Sequence, residues 1–309
     1  MSASETRARR RRIAMRKWGP GYVLVAPATV LIILMMVYPL IQTLIFSVSE
    51  VRLPDLRTRF VGFENFVATL TDPDFVHLIQ RTVFWVVGTV ALQFVLGFGA
   101  ALVLNAKVRG TVWMRILVVL PWTIPSVVAA NLWRWILQSD VGIVNQMLRE
   151  FGLSGLALNW LGDTHLTMAS VVVAYCWAGY PFIMLLMLAG MQGIPEEIYE
   201  AARVDGANWW QLFRFITIPS IRGVLAVALI LETVGAINSF DTIMVMTGGG
   251  PANATLVFGI DIYRTGFSNF NFGGASALSV LLFAAALIVF LLYAASSRAG
   301  RPQTKQGER

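Results

Sequence analysis

The sequence predicts an all-α membrane protein of six transmembrane helices, with the N- and C-termini on the cytoplasmic side. Three observations carry this. Hydrophobic residues make up 57% of the 309 positions and charged residues only 13%, about half the charged share of a soluble domain. The charges are also segregated, since residues 18–49, 82–106, 166–195 and 265–297 contain no Asp, Glu, Lys or Arg. Each of these stretches exceeds the roughly 20 residues that a helix needs to cross a hydrocarbon core. Finally, with the first segment inside, 17 of the 24 Lys and Arg fall in cytoplasmic segments, namely Arg7, Arg9 to Arg12, Arg16, Lys17, Lys107, Arg109, Arg115, Arg203, Arg214, Arg222, Arg298, Arg301, Lys305 and Arg309. That bias obeys the positive-inside rule.

The elements follow in order. Residues 1–21 form a basic cytoplasmic N-terminus. The first span covers about 22–46, and Pro27 or Pro39 is expected to bend it. The run Arg9 to Arg12 before apolar residues resembles a signal peptide, but the apolar run continues well past the small residues Ala26 and Ala28, so the helix is expected to be retained. The next spans are about 82–105 and 116–137, the latter with Arg134 near its end. The fourth covers 166–190, the fifth 223–245 with Glu232 and Asp241 inside it, and the sixth 275–296. A cytoplasmic tail, 297–309, closes the chain. Between spans lie two long outer loops, 48–81 and 138–165, partly apolar at Phe63, Phe66, Trp160 and Leu161; loops this long in a compact protein usually have a task.

Several function classes are excluded at this stage. The surplus of 24 basic over 17 acidic residues reflects membrane topology, because the Arg run directly precedes a span, and no nucleic-acid partner is expected. Cys176 is the sole cysteine, so no internal disulfide can form. His77 and His165 lie in separate loops without clustered ligands, and no metal site is expected. No G-x-x-x-x-G-K-[ST] occurs. The chain is therefore not expected to bind or hydrolyse ATP itself, and no catalytic cluster marks it as an enzyme.

Against this apolar background one cytoplasmic segment, 191–222, is conspicuously polar. It contains "EEIYEAARVDGANWWQLFRFITIP" from Glu196 to Pro219. Pro195 suits the first helical position, with Glu196 and Glu197 in the first turn facing the positive dipole end. Gly206 suits a helix stop, and a second helix begins at Trp209, Trp210 and Phe213 and runs into Pro219 and the next span. Ala201 and Ala202 give the first helix a flat patch that another surface can approach closely, while Glu200 and Asp205 offer carboxylates to a basic partner. An interfacial helix anchored in lipid by the Trp pair is the alternative reading of the same residues.

Glu200-Ala201-Ala202, Asp205-Gly206-Ala207, Gln211, Phe213 and Ile216-Thr217-Ile218-Pro219 match the "EAA" loop of ABC importer permeases, with Ile218 in place of the usual Leu. The resemblance extends to Leu120-Pro121 with Pro125, to Trp177-Ala178-Gly179-Tyr180-Pro181 and to Thr247-Gly248-Gly249-Gly250-Pro251. Taken together, these resemble the sugar-importer branch, which serves maltose, glycerol phosphate, lactose or trehalose. The resemblance implies a non-catalytic permease subunit of the cell membrane that carries a carbohydrate, a disaccharide such as trehalose, into the cytoplasm. It implies as partners a second homologous permease subunit, an extracellular or lipid-anchored sugar-binding protein, and two copies of a cytoplasmic ABC ATPase that bind the ATP and Mg. In that family the first loop helix docks in a groove of the ATPase, which assigns coupling to Glu200, Ala201, Ala202, Asp205 and Gly206.

Glu232 lies about ten residues into the fifth span, roughly 15 Å at 1.5 Å per residue, near the middle of a core about 30 Å thick. A carboxylate there is costly and normally faces a cavity or a partner. Asn238, Ser239 and Asp241 extend the polar stripe, and Tyr175, Gly179 and Phe182 occupy one face of the fourth span at helical spacing. In sugar permeases the same stretches line the sugar path. The resemblance thereby assigns Tyr175, Gly179, Phe182, Glu232, Asn238 and Ser239 to it. Two alternatives stay open: Glu232 as an interhelical polar contact only, and an ion-coupled secondary transporter using Glu232 and Asp241.

Overall fold

A computed structural model of the protein describes residues 24–52, 57–106 and 110–299. The basic N-terminus 1–21, Lys107, Arg109 and the tail beyond residue 299 lie outside the described residues. The chain begins with α1 (Leu24–Ser47), then a short antiparallel hairpin, β1 (Ser49–Arg52) and β2 (Arg57–Phe60). Helices α2 (Glu64–Leu70) and α3 (Phe75–Asn105) follow. Next come α4 (Thr111–Thr123), α5 (Ser126–Ile136), α6 (Ile143–Glu150) and α7 (Thr167–Gln192). The remainder comprises α8 (Glu196–Val204), α9 (209–237), α10 (Asp241–Met246), α11 (258–268) and α12 (Phe272–Ala299). Among the described residues, five helical runs are long and apolar enough to cross a membrane, and the α4–α5 pair makes a sixth if counted as one broken span.

Two expected spans are not simple helices. The stretch 116–137 is broken between α4 and α5, which are bent by 96°. Pro125 is the cause, because the residue before a proline is pushed out of the helical region, and Ile124 sits at φ −82°, ψ 131°. The fifth span, expected over 223–245, starts earlier and stops sooner: the helix already runs at Trp209 and ends at Ile237. Polar side chains sit at its end. Asn238 Nδ2 donates to the Val234 carbonyl at 2.9 Å and Ser239 Oγ to the Ala236 carbonyl at 2.7 Å, offering the backbone a local alternative to continuing the helix.

Prolines also explain two of the π turns among the described residues. One spans Ile33–Val37 just before Pro39, and one Phe213–Thr217 just before Pro219. In each case the proline has no N–H to donate back along the helix, and a wider turn absorbs the missing bond. The expected bend at Pro27 or Pro39 is thus a π turn preceding Pro39 within a continuous α1.

The core is a tight pairing of α3 with α7, which run parallel: Gly88 faces Val172, and Gly97 faces Ile183. Without a hydrophobic driving force between helices in lipid, small residues that allow close approach supply the packing. A Cβ at Gly97 would lie 2.7 Å from both Ile183 Cβ and the Tyr180 carbonyl oxygen, and neither atom can swing away. Gly97→Ala is therefore expected to destabilise the bundle by about 1–3 kcal/mol, seen as earlier thermal unfolding of the detergent-solubilised protein. Gly99→Ala, where nothing lies within 4 Å of the added carbon, serves as the control and should unfold like the parent. Trp85, buried in the same core, ties in α9 by donating Nε1–H to the Ala236 carbonyl and to Ser239 Oγ, both at 2.9 Å.

Candidate functional site

The polar segment folds as a helix-turn-helix whose turn is built from local bonds. Pro195 occupies the N-cap of α8, one residue before the expected first helical position, at φ −56° and ψ 136°. At the other end Gly206 adopts φ +84°. Its N–H donates to the Arg203 carbonyl at 3.0 Å, and Ala207 N–H to the Ala202 carbonyl at 2.9 Å. This pair of bonds is the Schellman arrangement, and its left-handed residue is where a glycine is favoured. Asn208 then caps α9 in a reciprocal box with Gln211, at 3.0 and 2.8 Å.

The segment is fastened to the bundle rather than lying free. Tyr199 OH and Thr217 Oγ1 are 3.0 Å apart, and Phe213 packs on Phe98 of α3 with centroids 5.5 Å apart. Trp209 stacks on Phe213 at 5.5 Å and 7°. Glu200, Ala201, Asp205 and Gly206 are exposed and Ala202 half-buried; Ala202, Asp205 and Gly206 share the wall of a shallow depression with Gln211 and Phe215. Through Tyr199 and Thr217 α8 thus contacts the start of α9, and through Phe213 and Phe98 α9 contacts α3.

About halfway along the bundle lies a cavity of about 530 Å³. Its walls include Tyr175, Gly179 and Phe182 from α7 and Glu232 and Gly235 from α9, so four of the six predicted path residues meet there. Asn238 and Ser239 do not line it. The early end of α9 turns them aside, Asn238 to an exposed position and Ser239 into its bond with Trp85. In their place come residues from the two helix breaks: Trp122, Ile124 and Ser126 from the α4–α5 junction and Thr242 from α10. Trp122 stacks on Phe182 with centroids 6.0 Å apart and planes at 25°. Tyr175 leans on Trp85 at 5.1 Å. Ser126 Oγ donates to Asp241 Oδ2 at 3.0 Å, joining the two breaks.

Glu232 is 7% exposed and faces the cavity with Gln93 as its polar neighbour on α3. The Gln93 side chain is fully buried, and neither amide atom has a partner at hydrogen-bonding geometry, so the approach to the carboxylate is a contact and not a formed bond. A carboxylate, a phenol and a stacked aromatic pair around one hollow can accept and donate to hydroxyls while covering C–H faces. Sequence reading missed Gln93 and the break residues. The signals were present, in Pro121 with Pro125 and in an amide midway along an uncharged span.

A second, larger cavity of about 680 Å³ lies near the start of α3, between the α2–α3 turn, α11 and the start of α12. Asp72, Asp74, Asp261 and Arg264 line it, and none of the predicted site residues does. Burial, with Asp72 alongside, raises the Asp261 carboxyl above the usual aspartate range against the opposing charge of Arg264. Arg81 pairs with Asp74 at 2.7 Å.

Residues 93–301 match the model of the binding-protein-dependent transport system inner membrane component. The chain belongs to this family. The match opens at Gln93, so it takes in the cavity, both helix breaks and the α8 segment. This inner membrane component is a multi-pass protein of the cell membrane. It is 34% identical over 276 residues to the trehalose/maltose transport system permease protein MalF of Thermococcus litoralis, covering 88% of this chain and 92% of that one. To the sulfoquinovosyl glycerol transport system permease protein SmoG of Agrobacterium fabrum it is 35% identical over 274 residues, 88% of each. Its fold is that of a bacterial ABC transporter involved in the import of the acidic polysaccharide alginate, with a TM-score of 0.83 and 23% identity, over 95% of this chain and 100% of that one.

Proposed function

We propose that this inner membrane component is one of two homologous permease subunits of an ATP-driven importer that carries a disaccharide such as trehalose into the cytoplasm. Two copies of a cytoplasmic ABC ATPase bind the ATP and Mg, and an extracellular or lipid-anchored binding protein delivers the sugar. The chain itself does no chemistry; it supplies the path and the coupling helix α8. The observation that carries this reading is the cavity where Glu232 and Tyr175 meet the stacked Trp122 and Phe182. Its volume falls in the range of roughly 300–1,000 Å³ typical of small-ligand sites. The relatives support it too, since the names of MalF and SmoG both state glycoside substrates.

Uptake of radiolabelled trehalose, maltose and sn-glycerol 3-phosphate by a strain deleted for this chain tests the reading. Trehalose or maltose uptake should vanish on deletion and return with the gene. It should fail when ATP is depleted and persist when an ionophore collapses ion gradients. Uptake that survives deletion, or that follows the ion gradient instead of ATP, overturns the proposal and restores the ion-coupled alternative.

A further inference from the structure

Gln93 is out of place in its span. It is fully buried, in a stretch of α3 otherwise made of apolar and small residues, and neither its Oε1 nor its Nε2 finds a partner at hydrogen-bonding geometry. A buried amide left unsatisfied is costly, and in lipid such side chains normally bond across helices. Its surroundings indicate its purpose. On one side is Gly179, where a Cβ would lie 2.3 Å from Nε2, so the missing side chain is the seat for the amide. On the other is the Glu232 carboxylate at the cavity wall.

We propose that Gln93 is a positioning residue: seated in the gap left by Gly179, its amide holds the Glu232 carboxylate toward the cavity, so that one carboxylate oxygen takes the amide N–H and the other takes a sugar hydroxyl. Gly179 then serves the site by what it leaves empty, and Gln93, hidden from the cavity, acts only through Glu232. This inference rests on the carbohydrate reading above. Closing this contact into a bond would satisfy a buried amide that otherwise lacks a partner.

The test uses cells carrying the whole transporter, with trehalose as the probe and uptake normalised to the amount of assembled complex. Gln93→Met keeps the length and removes the amide. It should lower the maximal rate about tenfold and leave the apparent KM unchanged, because capture belongs to the binding protein. Combining it with Glu232→Leu should be no worse than Glu232→Leu alone, the signature of residues acting as one unit. Gln93→Glu sets two carboxylates against each other and should transport poorly, whereas the reversed pair, Gln93→Glu with Glu232→Gln, restores an amide facing a carboxylate and should recover at least fivefold. A wild-type normalised rate in Gln93→Met, multiplying effects in the double variant, or no recovery in the reversed pair overturns the proposal. If the parent transporter imports no sugar at all, the carbohydrate reading fails first and this inference falls with it.

Discussion

Gly206→Pro is expected to abolish sugar uptake while the chain still inserts and assembles at parental levels. Proline holds φ near −65°, whereas residue 206 sits at +84°, and the substitution also removes the N–H that bonds to the Arg203 carbonyl. The turn cannot survive both changes. With it goes the Ala207-to-Ala202 bond that closes α8, so Glu200, Ala201 and Ala202 are no longer presented on a fixed helix. A proline conflict of this kind costs about 3 kcal/mol or more, or roughly a hundredfold in the population that keeps the docking geometry. Gly206→Asn, which tolerates the left-handed region far better, should retain most of the activity. Glu200→Lys leaves the helix intact and reverses one exposed charge, so it should lose uptake without any change in folding. The check is sugar-stimulated ATPase activity of the reconstituted complex alongside uptake. Normal stimulation in Gly206→Pro, with α8 unmoored, would show that this helix does not couple the chain to an ATPase.

Helix existence was legible in the sequence because burial in lipid demands long uncharged runs, and 18–49, 82–106, 166–195 and 265–297 announce themselves. The left-handed Gly206 was legible too, since a glycine after a polar helical stretch has few other uses. What escaped were the interruptions. Pro125 could be read as a kink, but not as a bend of 96° that puts Trp122 and Ser126 on a cavity wall. Likewise Asn238 and Ser239 continue the periodicity of α9 on paper, and only the backbone shows that the helix stops at Ile237, before them. Spacing arguments assume an unbroken helix, and they fail where the helix stops, as it does at Ile237. Gln93 escaped for a different reason: a single amide carries no periodicity, and its meaning comes from Gly179 and Glu232 on two other helices.

Glu232→Leu should cut the uptake rate per assembled complex by about ten- to a hundredfold, and Glu232→Gln by much less. The carboxylate is buried at 7% exposure on the wall of the central cavity, where a hydrogen bond to a charged acceptor is worth roughly 1.5–3 kcal/mol. Leucine removes every acceptor at nearly the same volume. Glutamine keeps the shape and one carbonyl acceptor, so it retains part of that stabilisation. The loss should appear as a lower maximal rate at unchanged apparent KM, because the binding protein captures sugar before the permease meets it. A purely structural Glu232 predicts a different pattern. If the carboxylate served only to tie helices together, leucine would lower the amount of complex in the membrane and leave each surviving complex working at the parental rate. Uptake normalised to complex therefore separates the two roles, and a parental normalised rate in Glu232→Leu removes Glu232 from the path. The neighbouring substitutions sharpen the distinction. Asn238→Ala should transport like the parent, since its side chain is exposed and bonded only to Val234. Ser239→Ala removes an acceptor of the Trp85 N–H while the Ala236 carbonyl still accepts it, so stability falls slightly and the rate per complex holds. A polar stripe that truly continued past Ile237 would make all three positions equally sensitive; a cavity bounded by the end of α9 makes Glu232 alone the sensitive one.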